Sequence, residues 1–297
     1  MAGFGMASEY EDRKRLTFEQ AEGAEPLPSQ LKRKEVPSEL RSRLWAIFYD
    51  LLVDARTDYP HDALDGEFVQ VLRDYHVIRC FRAADEFNPS CQYWVEELKP
   101  IFIQGHYTKL LGFVQWVLRH EDKPVQLEID VANALRKSRA AYAVFDGDTI
   151  VPIGSGAERE TLARAFADVA ASEFHGARSH LRNAGSELTA GNYADSIRES
   201  IQAVESVARV LEPSANTLAP ALAKLEKSVR IHHNLQAGFG QLYNFTSDEK
   251  GIRHALLDKP GARVDETDAL YMLGSCAAFV SYLINKARQV GMLSDMN

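Results

Sequence analysis

The sequence predicts a mainly α-helical fold: a helical N-terminal domain, a short β-hairpin and a C-terminal up-and-down helical bundle. Apolar residues recur at steps of three and four along most of the chain, which is the spacing of one helix face. Residues 142–153 carry the one clear β signal. The 297 residues are 45% hydrophobic and 26% charged, a composition typical of globular chains rather than disordered ones.

The N-terminal half of the sequence predicts a flexible tail over residues 1–15 and a helical domain over residues 16–140. The tail lacks periodicity, and an extended lead-in with two prolines follows it. Helical periodicity begins at Ser38. Four apolar stripes with this spacing indicate helices: Leu40, Leu44, Ile47, Phe48, Leu51 and Leu52; Phe68, Val71, Leu72 and Tyr75; Tyr107, Leu110, Leu111, Val114, Val117 and Leu118; Leu127, Val131 and Leu135.

The β-hairpin is predicted from two short apolar runs that flank Asp146-Gly147. Residues 142–145 and 149–151 are the runs, and Asp-Gly supplies the positive φ angles that a tight hairpin turn needs. We expect this hairpin to lie against helices within a linker over residues 141–155.

The C-terminal bundle is predicted over residues 156–290. Ser155 and Glu158 form the S-x-x-E pattern of a capping box at its first helix, and Asp265 and Asp268 favour the start of its last helix. Short links between the long stripes are typical of antiparallel helices. The main stripes are Leu162, Phe166, Val169, Phe174, Ala177 and Leu181; Ile197, Ile201, Val204, Ala208 and Leu211; Met272, Cys276, Phe279, Leu283 and Ala287.

Charge and cysteine content exclude several classes of protein. The formal net charge of −8 does not steer the chain onto nucleic acid, so any nucleic-acid chemistry needs a small local site. Cys80, Cys91 and Cys276 form no C-x-x-C pair, which disfavours a disulfide framework and a zinc site. No apolar run reaches membrane-spanning length, and the N-terminus lacks a signal segment. We therefore expect a cytoplasmic protein without a metal, a cofactor or a membrane.

The segment between the last two bundle helices, residues 243–256, carries the candidate chemistry. Ser247 is a natural N-cap residue, and Asp248 would lie in the first turn of a short helix. That helix would present Arg253 and His254 beside the bundle. Imidazole exchanges protons near neutral pH, and guanidinium stays charged and binds phosphate. An Arg-His dipeptide taken alone favours the other interpretation, a capped turn that carries solvated charges.

Five stretches resemble abortive-infection proteins of the AbiJ type. In the C-terminal half these are residues 142–152, 195–205 and 242–257, of which 247–256 is the most specific part. In the N-terminal half, residues 18–23 and 39–45 are similar to one class of AbiJ N-terminal domain. Together the resemblance covers most of the chain.

This resemblance implies that the C-terminal half is a HEPN-like bundle, and many HEPN proteins are dimeric, metal-independent ribonuclease toxins of phage defence. It implies His254 as the acid or base, Arg253 as the phosphate ligand, and Glu205 or Asp248 as an orienting group. The family motif places an Arg four to six residues before its His, whereas Asp248, Glu249 and Lys250 occupy those offsets here. The implied partners are RNA such as tRNA, a second copy of the chain, and a phage-derived trigger or partner subunit.

Two rival interpretations stay open from the sequence. The absent upstream Arg and the acidic balance favour a non-catalytic module for dimerisation or nucleic-acid sensing, whereas an enzyme site in the N-terminal half has no motif to support it. His175 and His180 lack a carboxylate at metal-ligand spacing, so we do not expect zinc there. Glu199 and Glu205 are predicted on the polar side of their helix.

Overall fold

The N-terminal half consists of helices that enclose one hydrophobic cluster. The computed structural model describes residues 18–24, 29–57, 62–170, 172–248 and 263–293, so the tail predicted over residues 1–15 lies outside it. The helices are α1 Phe18–Ala21, α2 Ser38–Asp54, α3 Glu67–Asp74, α4 Cys91–Ile103, α5 Tyr107–Leu118 and α6 Leu127–Lys137. A π-helical turn, Tyr75–Arg79, extends α3. The predicted stripes are confirmed, since Leu44, Phe48 and Val114 are fully buried.

The hairpin forms as predicted, and its two faces belong to different cores. Strands β1 Tyr142–Phe145 and β2 Thr149–Pro152 pair antiparallel, with Val144 opposite Ile150. Successive strand residues face opposite sides. Tyr142 and Ile150 therefore pack into the N-terminal cluster, whereas Ala143, Phe145, Val151 and Ile153 pack into the C-terminal one.

The C-terminal half is a helical bundle, which confirms the predicted mainly-α fold class. Its helices are α7 Gly156–Asp168, α8 His175–Ala190, α9 Tyr193–Leu211, α10 Leu218–Ser228, α11 His233–Asp248 and α12 Glu266–Gln289. Helix α9 lies between α8 and α12, and α7 also packs on α12. Arg288 near the end of α12 pairs with Asp168 of α7 at 2.6 Å.

Helix starts follow the predicted capping residues with two departures, one at α7 and one at Ser247. Asp265 and Asp268 form a capping box at α12. At α7, the Ser155 hydroxyl accepts a hydrogen bond from the Glu158 amide, but the Glu158 carboxylate accepts one from the Gly154 amide instead of completing the box. The prediction that Ser247 begins a helix is wrong, because α11 already runs from His233 to Asp248.

Helix α12 packs against both α9 and α7 in the bundle core. Of the described helices, it alone is long and apolar enough to cross a membrane, yet 56% of its most apolar window is buried inside the protein. Met272, Cys276 and Phe279 are at most 2% exposed and belong to the bundle cluster. The apolar stripe of α12 is thus the packing surface of a core helix.

Candidate active site

Helices α8 and α9 form the antiparallel pair on which the candidate site lies. Gly191 ends α8 with φ +84, a left-handed conformation that suits glycine, and α9 begins two residues later. The Ser196 hydroxyl donates to the Ala184 carbonyl at 2.8 Å. At the far end of the pair, a Cβ on Gly176 would lie 2.7 Å from the Ser206 hydroxyl. The glycine therefore lets the helices approach closely.

A histidine and a glutamate meet across this helix pair. His180 Nδ1 of α8 lies 2.8 Å from Glu199 Oε2 of α9, and the same oxygen accepts from the Asn183 side-chain amide at 3.2 Å. The carboxylate can only accept here, so Nδ1 carries the proton, and Nε2 has no hydrogen-bond partner among the residues that the structure describes. The side chains of Glu199 and His180 are 14% and 33% exposed, respectively. The carboxylate thus holds a half-exposed imidazole in one orientation.

The imidazole opens onto a surface groove of about 550 Å³. Gln202, Glu205, Ser206 and Arg209 recur at helical steps along α9 and line the groove with His180. Arg209 is exposed and makes no ion pair within the described ranges. The groove therefore holds an oriented imidazole and a guanidinium that is free to bind an anion.

The side chains of this groove are of the types that acid–base chemistry on a phosphodiester uses. An imidazole fixed through one nitrogen presents the other for proton transfer, and a neighbouring carboxylate stabilises the imidazolium that forms. A guanidinium offers paired donors to phosphate oxygens. The groove contains both functions on two rigid helices.

The sequence-predicted site residues divide into two groups. Arg253 and His254 lie outside the described residues, so their predicted roles stay predictions. The backbone of Ser247 and Asp248 forms the last two positions of α11. Glu205 lines the groove with His180 and Arg209.

Sequence reasoning missed the pairing of His180 with Glu199. Both residues are visible as polar positions on predicted helices, but a helical pattern alone does not fix which turn of α8 meets which turn of α9. The small residues Gly176 and Ser206 were a usable signal, because small side chains mark where two helices come closest. His175 is exposed, and no group of three or more His, Cys, Asp or Glu residues in the described chain is arranged to hold a metal.

A second set of charges on α8 fastens the bundle to the hairpin turn. Arg178 Nε donates to Asp146 at 2.6 Å, and this hydrogen bond raises the pKa of the guanidinium. Arg182 pairs with Asp148 at 2.6 Å and with Asp146 at 3.4 Å. Because both arginines follow one face of α8, they fix the turn against the same helix that carries His180.

Comparisons of the chain with models of known families, with characterised proteins and with solved structures find no match. The resemblance to AbiJ-type proteins therefore rests on the sequence stretches given above.

Proposed function

We propose that the protein is a metal-independent endoribonuclease of HEPN-like type that acts in the bacterial cytoplasm as an abortive-infection toxin. The observation that carries the proposal is the His180–Glu199 pair, which opens onto a groove that also contains Arg209. The helical bundle around it agrees with the HEPN-like architecture that the sequence resemblance implies. A phage-derived trigger or a partner subunit would release the activity in the cell.

The proposed reaction is transfer of an RNA phosphodiester to the neighbouring 2′-hydroxyl. His180 Nε2 takes the 2′-hydroxyl proton, the 2′-oxygen bonds to phosphorus, and the bond from phosphorus to the 5′-oxygen breaks. Arg209 binds the phosphate oxygens and offsets the charge that develops on them. The products are a 2′,3′-cyclic phosphate and a 5′-hydroxyl end. No metal or other cofactor takes part.

The leaving 5′-oxygen needs a proton from the opposite side of the phosphorus. One imidazole cannot reach both the attacking and the leaving oxygen of an in-line displacement. We assign this second proton to another imidazole, either His254 of the same chain or His180 of a second copy in a homodimer. The first assignment keeps the catalytic role that the resemblance implies for His254, and Arg253 would then help bind the phosphate.

A non-catalytic module for dimerisation or nucleic-acid sensing is the second candidate. The observation that favours it is the charge of the groove, where the Glu205 carboxylate offsets the guanidinium of Arg209. A groove in which positive and negative charges balance attracts a polyanion such as RNA only weakly. This candidate requires RNA binding or self-association without cleavage.

Purified protein incubated with tRNA in excess EDTA distinguishes the candidates. We expect cleavage by the wild type, a loss of about 100-fold or more in His180→Ala, and wild-type rates in the control His175→Ala. His175 is exposed at the start of the same helix and lies outside the groove. Loss of cleavage in His254→Ala together with full activity in His180→Ala would move the site to the 249–262 segment. Absence of cleavage by the wild type and by every variant, with and without an extract of phage-infected cells as a source of trigger, would favour the binding module.

A further inference from the structure

A cleft with a polar mouth lies between the two halves of the protein, apart from the His180 groove. The mouth has a volume of about 350 Å³. Arg119, which directly follows α5, and the hairpin residue Thr149 contribute to one side of it, and the exposed face of α8 forms the other. Its lining residues are Arg119, Thr149, Ser179, Arg182, Asn183 and Ser186.

Arg119 is the uncompensated cation of this mouth. Its Nη2 atom lies 3.4 Å from both the Thr149 and the Ser186 hydroxyl oxygens, which are long hydrogen bonds. It has no carboxylate partner among the residues that the structure describes. Arg182, in contrast, is paired with Asp148 at 2.6 Å. The mouth therefore keeps one free guanidinium surrounded by hydroxyl and amide groups.

An apolar pocket adjoins the mouth. It has a volume of about 380 Å³ and shares Arg119 and Ser186 with the mouth, so the two form one cleft. Its walls include Tyr107, Leu111, Gly112, Tyr142 and Ile150. The side-chain oxygen of Gln115 accepts a hydrogen bond from the backbone N–H of Ile150 at 2.7 Å. The side-chain NH₂ group of Gln115 can then donate to a ligand.

Gly112 keeps this pocket open. It lies in the interior of α5, where glycine destabilises a helix relative to alanine. Its φ is not positive, and a Cβ built on it would meet no atom within 4 Å. Neither backbone conformation nor close packing therefore requires glycine at this position. The space that a side chain would occupy belongs to the cleft.

We propose that this cleft binds a nucleoside monophosphate. Its phosphate would lie at Arg119 and the Ser186 hydroxyl, since the Thr149 hydroxyl already donates to Asp148 at 2.7 Å. Its flat base would enter the pocket beside Tyr107, where Gln115 donates to a base acceptor. The site is additional to the proposed ribonuclease groove. Asn183 connects the two, because it lines the mouth of the cleft and donates to Glu199, the partner of His180.

Calorimetric titration of the full chain with AMP and UMP tests the proposal, with inorganic phosphate, adenosine and uridine as component probes. We expect at least one of the two nucleotides to bind more tightly than phosphate or its own nucleoside, because only the nucleotide fills both parts of the cleft. Arg119→Gln should weaken its binding about tenfold or more. The control Arg73→Gln, on an exposed position of α3, should leave the affinity unchanged.

Gly112→Leu tests the apolar pocket without changing charge. The leucine side chain should fill the pocket, abolish nucleotide binding and leave the thermal unfolding midpoint unchanged or higher. The control Gly238→Leu introduces the same side chain on the exposed part of α11 and should bind the nucleotide with wild-type affinity.

Absence of binding by both nucleotides at millimolar concentration would overturn the proposal, as would unchanged nucleotide affinity in folded Arg119→Gln or Gly112→Leu. Because the titration does not depend on cleavage, failure here leaves the proposed ribonuclease activity standing, and the reverse also holds.

Discussion

Helix α8 contacts strand β2 at Gly185, and replacing this glycine with alanine tests how closely the bundle fits the hairpin. Gly185 is buried in the interior of α8. A Cβ on it would lie 2.5 Å from Val151 Cγ2 and 3.1 Å from Cγ1, closer than carbon atoms approach without displacement. Val151 is 1% exposed and lies on a strand with core on both faces. The added methyl group therefore has no free space to enter.

Two opposing terms set the size of the effect of Gly185→Ala. Alanine favours the helix over glycine by about 1 kcal/mol. An extra methyl in a packed core costs about 1 to 3 kcal/mol, and the stiff χ1 angle of Val151 places this site at the upper end. We therefore expect a net loss of about 2 kcal/mol in the free energy of unfolding. The loss should shrink or reverse in a Val151→Ala background, because that change removes the obstructing methyl groups.

Urea unfolding followed by far-UV circular dichroism measures this effect. Trp45, Trp94 and Trp116 all precede the hairpin, so their fluorescence reports mainly on the N-terminal half. Gly238→Ala is the matched control, since it gains helix propensity with nothing within 4 Å of its Cβ. It should stabilise the protein by about 1 kcal/mol. If Gly185→Ala were as stabilising as Gly238→Ala, the close approach of α8 to β2 would be refuted.

Two further predictions concern the bundle core. Asp168→Asn leaves Arg288, whose side chain is 16% exposed, without its counter-charge. We expect the free energy of unfolding, measured with urea, to fall by about 3 kcal/mol. The control Asp195→Asn removes a surface ion pair with Arg198 and should lower it by about 0.5 kcal/mol. Burial raises the pKa of the Cys276 thiol to about 12, so Ellman's reagent at pH 8 should label the partly exposed Cys80 in the folded protein and Cys276 only after unfolding. Because the folded state holds the Cys276 proton more tightly than the unfolded chain, its contribution to stability is complete below the unfolded thiol pKa and should be lost as pH rises towards 12.

Each of these predictions has an outcome that contradicts it. Equal losses from Asp168→Asn and Asp195→Asn would mean that burial adds nothing to the ion pair with Arg288. Labelling of Cys276 in the folded protein at the rate of Cys80 would mean that the bundle core opens readily to solvent.

The helices and the hairpin could be predicted because local signals determine them. The spacing of Leu40, Leu44 and Phe48 is enough to define the buried face of α2, and Asp146-Gly147 is enough to place the turn. What the pattern could not show is that the hairpin separates two cores. Val144 and Val151 look alike in sequence, yet they pack into different clusters.

The candidate site was less predictable because it depends on how helices align. Whether His180 meets Glu199 depends on the register of α8 against α9, which is set by packing at Gly176 and Ser206. Ser247, in contrast, carries a local signal that the structure does not follow. Its cap chemistry is real as a propensity, but α11 already extends through it, and one cap residue does not by itself determine where a helix begins.

In the reaction that we propose, an imidazole oriented by Glu199 cleaves RNA through the 2′-hydroxyl. The most direct test is the single-turnover cleavage rate, in EDTA, of an RNA oligonucleotide and its fully 2′-O-methylated counterpart by the wild type and His180→Ala. We predict cleavage of the unmodified RNA alone, with 2′,3′-cyclic phosphate ends, and a rate about 100-fold or more lower in His180→Ala. Cleavage of the methylated strand, or equal rates for the two proteins on RNA, would contradict the claim.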